Sequence, residues 1–302
     1  MRSVILALII CFLFSCKNES QEKQVLSKKE LSLKQVKVIK GFDTPEAIIW
    51  NAEEKVFYVS NNAKNNREIE NEGFISKLGP DGSFIEKHWI DSLAEPEGMA
   101  IFDGKLFVAS KTELLSIDVS KGAILKKYTL DKNNTDLNDL VKYKNSLLIS
   151  DGSCNCIFRL KNDSLEKIYN KLKEPDGMAV RNDSLFVVNS KSSSLNFVDF
   201  EKKTDSVLTE NLGFADGITP FRDGFFVSDW EGGLFYINSK WQRKRLTDTR
   251  KKRINTSDIW FNPKTNKLYV PTLYGDKILI FKPEFKAIPK QTKSQKSVAI
   301  SG

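Results

Sequence analysis

The chain has 302 residues, 40% of them hydrophobic, and a formal net charge of +8. That is enough apolar material for a substantial core, which excludes a disordered or fibrous chain. One histidine and four cysteines leave no ligand set for a structural zinc site.

The first sixteen residues stand apart from the rest. Arg2 supplies a positive start, and residues 4–14 form an apolar run shorter than the ~20 residues of a membrane-spanning helix. The run ends in Leu13-Phe14-Ser15-Cys16, which resembles a bacterial lipobox. The resemblance implies cleavage before Cys16, a lipid on its thiol, and a membrane-anchored lipoprotein of the cell envelope. Its face would be outer-membrane, periplasmic or surface. An ordinary secreted protein and an uncleaved anchor are the other readings, and all three export the chain. Residues 17–34 are polar and read as a flexible tether. Residues 286–302 carry four lysines and no acid, and read as a basic disordered tail. Residues 240–253 hold a second basic run, read as a solvated outer strand and loop. An exported chain meets little nucleic acid, so no nucleic-acid partner is expected.

Between these ends one phrase recurs. Pro175-Asp-Gly-Met-Ala-Val-Arg-Asn-Asp-Ser-Leu-Phe-Val-Val-Asn189 opens on a turn signal, runs through an apolar strand, breaks at Asn182-Asp183 and returns as a second strand. Close copies begin at Pro96 and Ala215, and looser ones at Pro45, Leu137 and Ser257. The acids that mark the copies are Glu46, Glu97, Asp139, Asp176, Asp216 and Asp258, spaced by 51, 42, 37, 40 and 42 residues. Strand units at this period predict an all-β, six-bladed β-propeller over residues 35–285. Each unit supplies two further strands, for example 73–78 and 84–90, or 195–200 and 206–212. The last unit lacks its fourth strand, and residues 35–39 precede the first unit without a partner. The predicted closure pairs them, which removes two sheet edges. Cys154 and Cys156 sit at i and i+2, near the reach limit of a disulfide, so two free thiols are the expectation and a strained bond the alternative. His88 falls on an outer strand.

In each unit the inner strand starts at its acid, and the second strand returns to the same rim. One mouth of the central channel should therefore collect oxygen-bearing side chains, among them Asn189 and Asp229 from second-strand ends. Converging carboxylates repel, and a hard cation such as Ca²⁺ would relieve them. The other reading is that each acid caps backbone N–H groups in its own turn.

The ordered motifs resemble the family of senescence marker protein, gluconolactonase and luciferin-regenerating enzyme, six-bladed propellers related in architecture to paraoxonases. Thr44-Pro-Glu-Ala-Ile-Ile-Trp50 is similar to that family's opening motif, whose Glu binds a metal, and this implies the role for Glu46. Leu137-Asn-Asp139 resembles its substrate-contacting segment and implies Asn138. Pro175-Asp-Gly177 implies Asp176 as a metal ligand. Ala215-Asp-Gly217 implies Asp216 as both ligand and general base. Asp176 stands where the family usually has Asn, and Asp136 where some members have a substrate-binding Arg, so a sugar-acid substrate does not carry over.

Two functions follow as expectations. One is a divalent-metal-dependent hydrolase of a small lactone or ester, acting as a monomer. Asp216 would be its base, Glu46, Asp176 and Asp216 would hold the metal, and Asn138, Asp139, Asn189, Asp229 and Glu97 would contact substrate. The other is a non-catalytic propeller, similar to NHL-repeat proteins, that binds a peptide, glycan or protein at the rim.

Overall fold

The computed structural model describes residues 29–63, 71–131 and 133–287. The lipobox and Cys16, the tether up to residue 28 and the tail from residue 288 lie outside the described residues. Residues 31–285 form one compact unit.

That unit is a ring of six four-stranded antiparallel sheets. Blade one runs outward from β2 (Pro45–Asn51) through β3 (Val56–Asn61) and β4 (Gly73–Leu78) to β5 (Phe84–Leu93). Blades two to five repeat this order. Their inner strands are β6 (Pro96–Phe102), β10 (Leu137–Tyr143), β14 (Pro175–Arg181) and β18 (Ala215–Phe221). The inner hairpins close where the sequence breaks. Asn182 and Asp183 both have positive φ, as do Asp103 and Gly104, the signature of a two-residue turn that matches strand twist.

Blade six is composite. It holds β22 (Trp260–Asn262), β23 (Lys267–Thr272) and β24 (Lys277–Ala287), and its outer strand is β1 (Lys29–Lys40). The predicted closure by residues 35–39 is therefore present, but the strand starts earlier. Residues 29–34 belong to it rather than to a tether, and β24 extends two residues past 285. Leu31 is buried in the cluster shared by blades five and six, with Leu33 and Val38 packed against it. Ile39 joins the cluster shared by blades six and one.

The core is not a single central mass. Buried apolar side chains form six clusters, and each draws on two adjacent blades. Tyr58 of blade one and Val108 of blade two meet in one, and Phe226 of blade five and Val270 of blade six in another. Each blade buries both faces only because it has two neighbours, so the ring must close.

Three further expectations meet the structure here. His88 lies on β5, an outer strand, with Nδ1 2.7 Å from Asp91 Oδ1 and its ring stacked on Phe74. The basic run becomes the outer strand β21 (Arg243–Asp248) and a short 3-10 turn at Arg250–Lys252. Cys154 and Cys156 are joined as a disulfide with Cα atoms 5.2 Å apart, so the free-thiol expectation is corrected. The tight turn between β11 (Ser146–Asp151) and β12 (Cys156–Lys161) brings the two Cα atoms within bonding range.

A chain that begins at Phe42 lacks β1 and leaves Leu31, Leu33 and Ile39 unreplaced in their clusters. It should lose several kcal/mol of stability, read as a lower midpoint in urea unfolding. A midpoint equal to that of the full chain would show that the closing strand does not hold the ring.

Candidate functional site

The inner strands carry one shared irregularity. In blades one to five the register with the second strand shifts between the first and fourth residues: Pro45/Ile48, Pro96/Met99, Leu137/Leu140, Pro175/Met178 and Ala215/Ile218. A bulge of this kind re-aims the side chains inside it. The backbone N–H groups it displaces find serines on the second strand. Ala47, Asp139 and Gly217 donate to Ser60, Ser150 and Ser228 Oγ at 2.9, 2.9 and 2.7 Å.

The registers also decide which residues are equivalent. Pro45, Pro96, Leu137, Pro175 and Ala215 pair with Asn61, Ser110, Asp151, Asn189 and Asp229. One residue further on, the ring reads Glu46, Glu97, Asn138, Asp176 and Asp216. Trp260 pairs with Tyr269 as Ile49 pairs with Tyr58, which adds Ser257 from blade six. Asp139 and Asp258 are therefore not members of this ring, contrary to the sequence reading. They occupy the next position down, where the other blades have Ala47, Gly98, Gly177 and Gly217. A Cβ at Gly177 would lie 2.3 Å from Asp216 O, and one at Gly217 would lie 2.7 Å from the Asp258 Cα. Adjacent inner strands approach so closely near the axis that only glycine fits at these two points.

Asp139 and Asp258 come from opposite blades. Asp139 Oδ2 accepts the Met178 N–H, and Oδ1 accepts the Leu140 N–H, both at 2.6 Å. It thus ties blade three to blade four. Even so, burial pushes its carboxyl up to about 7. Both residues line a 420 Å³ cavity bounded by all six inner strands.

The upper ring is electrostatically crowded. Asp176 is pushed well above the usual carboxylate range by burial and then by Glu97, Asp139, Asp136 and Glu174. Asp216 is pushed up by burial and then by Asp176, Glu46, Asp258 and Glu97. Asp258 follows the same pattern. Glu46 and Asp216 are only 7% and 5% exposed, and Asp216 Oδ1 is buried without a hydrogen-bond partner. An orphaned carboxylate oxygen in a ring of hard oxygen donors fits a divalent cation of the Ca²⁺ type. Among the described residues, the one group of three acidic, His or Cys side chains whose ligand atoms all lie within 4.8 Å is Asp151, Cys154 and Cys156. Glu46, Asp176 and Asp216 do not form such a group.

Second-strand ends behave differently from the sequence expectation. Asn189 Oδ1 accepts the Lys173 N–H at 3.0 Å, and Asp229 Oδ1 accepts those of Phe214 and Glu231 at 3.1 and 3.2 Å. Asn61 and Asp151 receive the N–H groups of Asp43 and Asp136 in the same way. All four are fully buried. Through Oδ1 they pin the segment that leads into each inner strand, while Oδ2 of Asp151 and of Asp229 is buried without a hydrogen-bond partner. Glu97 stays at the mouth, where Asn62 Nδ2 donates to its Oε1 at 3.1 Å. Asn62 was not singled out from the sequence, nor were the aromatic residues beside Asp176 and Asp216. A 180 Å³ pocket there is lined by Asp176, Ser190, Phe214, Asp216 and Trp230.

No family model matches the chain, and no curated protein matches it. Solved structures do. A gluconolactonase from Xanthomonas campestris superimposes with a TM-score of 0.65 at 15% identity, over 82% of this chain and 89% of that one. Luciferin-regenerating enzyme gives 0.63 at 12% identity, over 86% of this chain and 98% of its own. At these identities the likeness is one of fold.

The raised carboxylates set a pH dependence. Between the ordinary Asp value near 4 and about 7, the folded chain binds more protons at Asp139 than the unfolded chain does, and Asp176, Asp216 and Asp258 act with the same sign. Stability from these groups is therefore present at low pH and lost as pH rises through that window. In EDTA the melting midpoint should be about 3–5 °C higher at pH 5.5 than at pH 8, and millimolar Ca²⁺ should raise it more at pH 8. A midpoint insensitive to both pH and Ca²⁺ would contradict the crowding.

Proposed function

We propose that this propeller is a divalent-cation-dependent hydrolase of lactones or related esters. The observation that carries the reading is the unpartnered Asp216 Oδ1, buried at the mouth among Glu46, Asp176, Asp258 and Glu97 and opening on a ring-sized pocket. A gluconolactonase among the solved structures that share the fold supports the reaction class. Fold alone would not assign it.

Glu46, Asp176 and Asp216 would hold the cation, with Asn138 beside them on the same ring. Bound there, the cation supplies the charge that polarises a substrate carbonyl. The side chains do the rest. Asp216 would take a proton from water. The water oxygen bonds to the carbonyl carbon, the ring C–O bond breaks, and Asp216 returns the proton to the leaving alkoxide oxygen. A lactone thereby becomes a hydroxy acid with atoms and charge balanced. Asn138 would orient the carbonyl group.

Asp216→Asn keeps shape and one oxygen while removing the base. Its kcat on a lactone panel should fall by about 10²–10⁴-fold, with a smaller loss of Ca²⁺ affinity by calorimetry. Glu46→Gln should mainly weaken Ca²⁺. A wild-type chain that binds no divalent cation and opens no lactone would leave the binding propeller as the remaining reading.

The leader reading belongs with this function as a proposal: the chain is exported and carried on a membrane by a lipid at Cys16. Cys16→Ala should abolish fatty-acid labelling and release the protein to the soluble fraction. Labelling that persists in that variant would remove the assignment.

A further inference from the structure

Four blades share one backbone hydrogen bond at the rim, and blade five alone carries aromatic residues at both ends of it. Backbone hydrogen bonds from Asn62, Gly152, Ser190 and Trp230 N to Thr44, Asp136, Glu174 and Phe214 O define equivalent positions in four blades. At the accepting position blades one, three and four carry Thr44, Asp136 and Glu174, and blade five carries Phe214. At the donating position they carry Asn62, Gly152 and Ser190, and blade five carries Trp230. Phe214 is 55% exposed and Trp230 36% exposed, so neither serves the core. Tyr274, 44% exposed, stands edge-on to Trp230 with ring centroids 6.0 Å apart.

These rings are held in place. Phe214 N–H donates to Asp229 Oδ1 at 3.1 Å. Trp230 O accepts Asn255 Nδ2 at 3.0 Å, and the Trp230 N–H donates to Phe214 O at 2.8 Å. Phe214 and Trp230 form the wall of the 180 Å³ pocket whose other side is Asp176 and Asp216. Its two ionisable lining groups are carboxylates, which repel an anion, and its apolar lining favours apolar surface on the ligand.

We infer that the substrate is a neutral, monocyclic lactone or ester carrying an apolar substituent, and that the Phe214–Trp230 wall receives that substituent while the carbonyl faces Asp216. The word substrate rests on the hydrolase reading above; the apolar specificity of the pocket does not. Polyhydroxylated lactones lose water from their hydroxyls against rings that offer no hydrogen-bond acceptors.

The test uses wild-type protein in Ca²⁺ and five-membered lactams, which keep the ring and carbonyl but resist hydrolysis, with C5 side chains from methyl to hexyl. Binding is read by calorimetry against a trihydroxylated lactam of the same ring. Affinity should rise about threefold per added methylene. Phe214→Ala and Trp230→Ala should each flatten that rise, with melting midpoints unchanged because both side chains are exposed. Lactones with the same side chains should follow the same order in kcat/KM. Flat affinity along the series, equal or tighter binding of the hydroxylated lactam, or full chain-length dependence in both variants would overturn the inference. Chain-length-dependent lactam binding without turnover of any lactone would keep the pocket assignment and remove the hydrolase reading instead.

Discussion

Ring closure puts like charges together, and much of the site's chemistry follows from that constraint. Six blades share an axis, so any residue repeated in each blade recurs around it. The repeat places an acid or amide at the head of five inner strands, inside a bulge that turns it toward the mouth. Packing cannot separate these groups, because the inner strands already touch through Gly177 and Gly217. The ring therefore stores repulsion at one end of its channel. A protein selected only for stability would dilute it, as blade six does with Ser257. Keeping Glu46, Glu97, Asp176 and Asp216 together is costly unless something cationic uses them.

Two layers of polar residues near that mouth do opposite jobs. The strand-end residues Asn61, Asp151, Asn189 and Asp229 are fully buried, and each gives its Oδ1 to backbone N–H groups. They fix the path of the chain. One residue along the partner strand, Asp216 leaves an oxygen unspent. Asp151 and Asp229 also keep a buried Oδ2 without a hydrogen-bond partner, so what sets the strand-end residues apart is the backbone N–H groups held by their other oxygen.

The sequence alone carried the ring, the blade count, the inner hairpins and the closure, because each rests on periodicity or on a two-residue turn signal. It misplaced features set by register. Asp139 and Asp258 look like the other acids in a linear pattern, yet pairing to the second strand moves them one position down the channel. Asn189 and Asp229 reach the correct rim, but their local hydrogen bonds show only in three dimensions. The start of β1 was hidden because Leu31 and Leu33 sit among charged residues, where two apolar positions give too short an alternation to read. Phe214 and Trp230 were passed over because an aromatic residue in a β-rich chain is ordinarily core. The signal that could have found them was their departure from the small or polar residues Thr44, Asn62, Asp136, Gly152, Glu174 and Ser190 at the same points of three other repeats.

The composite sixth blade also has a consequence in time. Its outer strand is the first of the fold to leave the ribosome, and its other three strands are the last. Until residue 277 has been made, β1 has no partner for its ladder, and the blade-one and blade-five faces that blade six will cover stay open to water. An unpaired strand that waits this long is a hazard for pairing with another chain. Lys34, Lys37 and Lys40 along β1 supply the charge that discourages such encounters. The same lysines that hid this strand in the sequence thus guard it while the chain is still being synthesised.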